Sequence, residues 1–544
     1  MHRSRSRSFA PTSLAAALTL VLAAVLLAAA PARAAREVLR LPMQTPVPTL
    51  DPGLAEDSSS IEVIEQLFLG LTDFDDDTAE VVPELATSWH ASKDGLTYSF
   101  KLHRARWSDG RPVTAHDLVW AARRNIAPAT ASPYAYMMYG LRNAEAINTG
   151  KLKDVTRLGV AAPDGRTVRF MLAQPAAYFP AVAGLWMLRP LPRWAIEAHG
   201  ERWTDPANIV TNGPYRLAQW QRGNRMVLKR NPGYFAADTV HIPEVDYLIV
   251  PEASTGLAMY ESGELDMLGG GYLSIPSPDI PRIKADPELS RQLSIVPAMC
   301  TYYFGFNTAR PPMDKALVRR AFSAAINRKL LIDKVVRGDE RPAHTFVPQP
   351  VFGAVPPSAG EGIGYNPQQA RKWLAEAGYP GGKGFPEVVL MYNTSEGHAR
   401  IAQAVQQMWR RELGVTVRLE NQEWKVFLQT TRREDGPQIF RMAWCADYPD
   451  ANNWLMEVFH PTRSANRVHW HNAEFARLTE RAQVVRDPAE RRKLYRRAEE
   501  ILTHDEAVIA PVYFYTRLTL TKPYLRAKLA PLGGNHIRTW RFTD

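Results

Sequence analysis

The chain has 544 residues, 45% of them hydrophobic, with 66 basic against 56 acidic side chains. That length allows about two to four domain-sized units, and 14 Trp, 20 Tyr and 19 Phe supply the bulk for large cores or a deep ligand cleft. Beyond the N-terminal segment the basic residues are interspersed with acids and form no run, which excludes a nucleic-acid footprint.

Arg3, Arg5 and Arg7 precede an apolar stretch from Leu14 to Ala30. Pro31 breaks it, and Ala32-Arg33-Ala34 is an A-x-A cleavage pattern. Residues 1–34 are expected to be a cleaved signal peptide; the alternative is an uncleaved anchor. Cleavage removes four arginines and no acids, leaving 62 basic residues against 56 acidic. Further on, Ile61 to Gly70 reads as a short helix ended by glycine. Leu96 to Leu102 alternates like a strand, Trp107-Ser108-Asp109-Gly110 is a turn, and Thr114 to Asn125 reads as a helix capped by Thr114. The apolar segment Tyr178 to Pro192 holds Arg189 and three prolines, so it is no membrane span. Asn212-Gly213-Pro214 turns into a strand, Tyr215 to Trp220.

Lys315 to Val336 carries a helical stripe through Val318, Ala321, Phe322, Ala325 and Ile326, with Gly338 as its stop. Ala399 to Leu413 repeats that spacing, and after Gly414 the residues Val415 to Leu419 alternate as a strand. Segments 348–367 and 378–386 are rich in Pro and Gly and read as surface loops. The alternation of strands and helices argues for α/β architecture.

Ile439 to Trp444 reads as a strand leading into Trp444-Cys445-Ala446-Asp447-Tyr448. With period two, Arg441, Ala443, Cys445 and Asp447 share a face if the strand runs that far. A cation and an anion near one wall suit a zwitterionic ligand; an internal salt bridge on a structural strand fits the same pattern. Cys300 and Cys445 are the only cysteines. In an exported chain they fit one disulfide, the alternative being two buried thiols. No HExxH, G-x-S-x-G, Walker A or CxxC motif is present. Gly381-Gly382-Lys383-Gly384 reads as a turn, and His469 and His471 as surface histidines, so no metal or cofactor is expected.

Several segments together resemble one family. They are Leu50-Asp51-Pro52, Trp107-Ser108-Asp109-Gly110 with Pro112-Val113-Thr114-Ala115, and Thr130-Ala131-Ser132-Pro133-Tyr134-Ala135. Downstream come Pro206 to Gly213, Cys300-Thr301-Tyr302-Tyr303, Tyr392-Asn393-Thr394-Ser395, Asn421-Gln422-Glu423-Trp424-Lys425 and Trp444 to Tyr448. In this collinear order, from about residue 38 onward, the chain resembles the oligopeptide-binding proteins of bacterial ABC importers, extracellular solute-binding protein family 5.

The resemblance implies an α/β periplasmic binding protein fold, with two lobes joined by a hinge and three domains. Residues 35–73, 194–299 and 514–544 would form domain I, 74–193 an inserted domain II, and 300–513 domain III. It implies a Cys300–Cys445 disulfide, and a short peptide held in extended form by strand addition. Asp447 would pair with the peptide ammonium. Glu56, Asp57, Ser58, Ala443, Trp444 and Cys445 would offer flanking backbone. Tyr134, Tyr303, Trp424, Trp444 and Tyr515 would line the cleft. Arg441, His398 and Arg432 are candidates for the peptide carboxylate, with Asn393 near His398 and with Thr431 competing for the Arg432 slot. Gly269-Gly270-Gly271 and Ala298 stand where larger side chains are common in similar proteins.

The implied function is that of a monomeric periplasmic peptide binder, not an enzyme, serving an inner-membrane ABC permease. A murein-peptide binder of the same family and a secreted peptidase are the rival readings.

Overall fold

The computed structural model describes His2 and residues 36–543, save 77, 177, 357, 358, 486, 530, 531 and 533. The expected signal peptide lies outside the described residues. Residues Val38–Asp544 form one unit, built on three main sheets.

The first sheet has the order Val38–Met43, Glu244–Ile249, Arg225–Arg230, Tyr215–Gln221. Its first pair is parallel and the others antiparallel. The second sheet lies in the inserted segment, with the order Ala86–Ala91, Thr97–Leu102, Thr167–Met171, Val160–Asp164, antiparallel throughout. Against it lies the helix Ala115–Ile126, capped by Thr114 as expected. Asp117 Oδ2 accepts the Thr114 backbone N–H at 2.8 Å, closing a capping box.

The third sheet runs Met267–Gly269, Ile509–Thr521, Leu293–Phe306, Ile439–Cys445, Val388–Asn393, Val417–Gln422. Its two longest strands pair in two stretches. Leu293 to Pro297 face Leu520 to Thr516, and Thr301 to Gly305 face Phe514 to Ile509, with a register shift between Pro297 and Thr301. Each stretch serves a different core. Leu293, Leu518 and Leu520 pack with Leu257, Leu268 and Ile283. Phe304, Phe306 and Val512 pack with Phe322, Val405 and Trp409 from the helices Ala316–Ala324 and Glu396–Leu413. The irregular stretch between the two cores is where these strands can bend.

Most expected elements are present with small boundary shifts. The first helix is Ser58–Leu67 and ends at Phe68, short of Gly70. The strand after Gly414 is Val417–Gln422. The single helix expected over Lys315 to Val336 is instead divided into Ala316–Ala324, Arg328–Leu331 and the π-turn Ile332–Val336. Asn327 restarts the chain by accepting the Leu330 N–H at 3.0 Å. The buried Arg328 guanidinium donates to the carbonyls of Ser323, Ile326 and Pro511. These bonds offset its burial and turn the chain back on itself.

Candidate functional site

The strand Ile439–Cys445 carries the centre of the site. On one side it pairs with Leu293–Phe306 along its whole length, placing Cys445 opposite Cys300, and the two form a disulfide. On the other side it pairs with Val388–Asn393 only at Ile439 and Phe440. Among the described residues, the edge from Arg441 to Cys445 has no ladder partner there. Its N–H and C=O groups are a template for an added strand.

A charge of opposite sign sits at each end of this edge. Arg441 is buried; it donates to Asn393 Oδ1 at 3.1 Å and to Tyr515 Oη at 2.7 Å, and lies over the Tyr302 ring. Its Nε is buried without a hydrogen bond, and among the described residues it has no carboxylate partner. His398 stands beside Tyr302, its rings 5.7 Å apart. Burial, then the Arg441 charge, push His398 well below its ordinary range, so it is neutral. A neutral imidazole and phenols leave the guanidinium without a counter-charge.

At the other end is Asp447. The strand stops at Cys445, so the expected face shared by Arg441 and Asp447 does not extend that far. The Ala446 N–H turns to Met299 O, and Asn453 sets the position of Asp447. Asn453 Oδ1 accepts the Asp447 N–H and its Nδ2 donates to Asp447 Oδ2, both at 2.9 Å. Asp447 is half-buried and has no cationic partner among the described residues. Desolvation outweighs the Asn453 bond and pushes the carboxyl up to about 7.

Aromatic rings close the space beside Asp447. Tyr134 stacks on Trp444 at 6.4 Å and packs on Trp186 at 5.0 Å. Trp444 Nε1 donates to Asn453 Oδ1. Tyr178 stacks on Tyr448 at 5.3 Å. These contacts join the inserted segment to the strand Ile439–Cys445 and its loop.

Glu56 joins the two sides elsewhere: its Oε2 accepts from Arg432 and, at 2.9 Å, from Arg467. Asp57 caps the helix Ser58–Leu67 by accepting the Ser60 N–H at 3.0 Å, and Ser58 is exposed. Burial pushes Asp57 up to about 6.

The remaining expected residues separate by environment. Trp424 opens the helix Trp424–Thr430 and stacks on Phe427. Tyr303 lies edge-on between Phe346 and Phe459, 2% exposed, as a core aromatic. Thr431 is buried, donating to Phe427 O and accepting from Arg467, whereas Arg432 reaches Glu56. Gly269, at φ +92°, has no room for a Cβ, which would lie 2.0 Å from Leu518 O. Gly271, at φ +102°, borders open space. Arg467 and Asn453 belong to this arrangement yet carry no spacing that singles them out, whereas Tyr302 lies in the segment Cys300-Thr301-Tyr302-Tyr303 without a role marked for it.

The model of the bacterial extracellular solute-binding proteins, family 5 Middle, matches residues 80–466. The chain belongs to this family. It is 37% identical to the periplasmic oligopeptide-binding protein OppA of Salmonella typhimurium over 488 residues, 88% of this chain and 87% of the relative. The structure of the Escherichia coli murein tripeptide binding protein MppA superposes with a TM-score of 0.87 at 31% identity, covering 94% of this chain and 99% of that one. Haemophilus influenzae OppA in complex with the peptide RPPGFSPFR gives 0.86 at 29% identity, covering 94% and 100%. MppA in its unliganded open form gives only 0.64, at 30% identity over 93% and 97%. The fold is thus the two-lobed α/β fold of this family, and its lobes are not in that open arrangement.

Proposed function

We propose that the protein is the periplasmic substrate-binding component of an ABC importer and holds short peptides in extended form between its lobes. One observation carries this reading: a free strand edge flanked by a carboxylate and a guanidinium that each lack a counter-charge. A buried charge without a partner is costly, and a zwitterion supplies both partners at once. From Arg441 to Cys445 the edge is about 13 Å long at about 3.3 Å per residue, the reach of roughly four extended residues. Backbone pairing along that edge is blind to side chains, which suits a mixed peptide pool. The related proteins named for oligopeptides and murein tripeptide support the ligand class.

In this role Asp447 takes the peptide ammonium and Arg441, with neutral His398, the carboxylate. Trp444, Tyr134 and Trp424 wall the cleft, and Glu56 holds the lobes together through Arg432 and Arg467. The protein acts as a monomer without covalent chemistry and delivers its ligand to an inner-membrane permease. Native mass spectrometry of protein purified from the periplasm tests this. A ladder of bound masses matching short free-ended peptides is expected. γ-Linked peptides alone would assign the murein alternative, and ligand-free protein that ignores peptides in calorimetry would overturn the reading.

A further inference from the structure

A second chamber lies between the inserted segment and the region that follows Asp447. It encloses about 420 Å³, within the range of about 300–1,000 Å³ common for small-molecule sites. None of the residues assigned to the peptide lines it. One wall is apolar, with Met138, Leu141, Phe179 and Val182 from the inserted segment; Met456 and Glu457 form the opposite wall, from the helix Ala451–Phe459. The rim carries the Arg463–Glu145 pair at 3.0 Å, again one residue from each side.

Glu457 is the chemical feature of this chamber. It is 7% exposed and has no cationic partner among the described residues. Its Oε1 accepts from Tyr448 Oη at 2.6 Å and Asn452 Nδ2 at 3.3 Å, and its Oε2 accepts from Asn453 Nδ2 at 3.0 Å. All three donors are neutral. The hydroxyl of Tyr136, another lining residue, is buried beside that of Tyr134, with the two rings 5.3 Å apart. Burial raises the Glu457 carboxyl to about 8, so an empty chamber holds it protonated.

We propose that this chamber is a second binding site, for a primary amine on a compact apolar body. The ammonium would pair with Glu457 and the Tyr136 hydroxyl, and the apolar body would fill the wall of Met138, Leu141, Phe179 and Val182. Because the walls come from both sides of the cleft, the site is complete only when the lobes are together. An amine bound there favours the closed arrangement, and by linkage it strengthens ligand binding in the main cleft as much as that ligand strengthens its own.

The probe is phenethylamine, with 2-phenylethanol as the uncharged control, titrated calorimetrically into the full protein. Asp447→Asn protein is titrated as well, which removes the carboxylate assigned to the peptide ammonium and needs no peptide. Binding of the amine to both proteins, at least tenfold tighter than the alcohol, is expected. Glu457→Gln should abolish that preference. Gly140→Phe should block the amine and leave peptide affinity unchanged, since Gly140 lines the chamber and a Cβ there meets nothing within 4 Å. With trialanine bound, amine affinity should rise several-fold. Amine binding lost in Asp447→Asn, insensitive to Glu457→Gln and Gly140→Phe, or competitive with trialanine would overturn the proposal. Failure of trialanine to bind at all would sink the peptide reading while the amine titrations still decided this one.

Discussion

Replacing Asp447 with asparagine removes a charge and keeps the size of the side chain. Asn453 makes this change more than neutral. It already accepts the Asp447 N–H and donates from Nδ2, so its orientation is set. An asparagine at 447 must turn its carbonyl oxygen to Asn453 and present its own NH2 group to the peptide ammonium. Breaking one partner of a buried ion pair costs about 3–5 kcal/mol. Because Asp447 is only half-buried, the lower end applies, about 3 kcal/mol, or roughly a hundredfold in Kd. Calorimetry with trialanine and N-acetyl-trialanine at neutral pH measures it. The free-amine peptide should lose that affinity in Asp447→Asn, and the acetylated one should bind weakly to both proteins. A loss below about tenfold, or the same loss for both peptides, would refute the ammonium role.

Four other outcomes follow from the same geometry. The Asp447 carboxyl is raised to about 7 in the empty site, and an ammonium favours its ionised form. Affinity should therefore climb roughly fifteenfold from about pH 5.5 to pH 7 and fall again as the peptide α-amine deprotonates near about 8; a flat titration series would contradict this. The same raised acid makes the folded, ligand-free protein bind more protons than the unfolded chain between about pH 4 and pH 7. Its contribution to stability is thus lost as pH rises through about 7, and Asp447→Asn should melt higher than the parent at pH 8 in a calorimetric scan. Arg441→Ala should weaken trialanine by roughly tenfold or more yet leave its C-terminal amide little changed, because only the free carboxylate needs a cation. Equal losses for acid and amide would assign Arg441 to packing. Reducing the Cys300–Cys445 bond frees a loop with a sequence separation of 145, worth about 5 kcal/mol in the chain-entropy model. Denaturant midpoints should drop accordingly under reductant.

Local physics made much of this chain readable. Thr114 with Asp117 marks a helix start, and the stripe from Ile401 to Trp409 marks a helix, because both signals are complete within a few residues. The break at Asn327 was hidden because the apolar stripe continues across it. What divides the helix is Arg328 seeking the carbonyl of Pro511, 183 residues away. The motifs that carried the family resemblance divide in the same way. Ser108 and Thr211 bind each other through Oγ and backbone, and Asp51 holds Arg124 and Trp203, so those motifs fasten the fold. Asp447 stood out as an acid beside a cysteine. Its orienting partner Asn453 and the Glu56–Arg467 pair, 411 residues apart, become visible only when the chain is folded.

The strands Leu293–Phe306 and Ile509–Thr521 have a consequence beyond bending. Chains of this size ordinarily melt domain by domain, since each core can be lost alone. Here Leu293, partly buried, and Phe304, fully buried, lie on one strand yet pack into different cores, and Val512 and Leu520 repeat the arrangement on its neighbour. Losing either core frays a ladder on which the other depends. The element that lets the lobes move thereby couples their unfolding, so that motion between them does not entail independent stability.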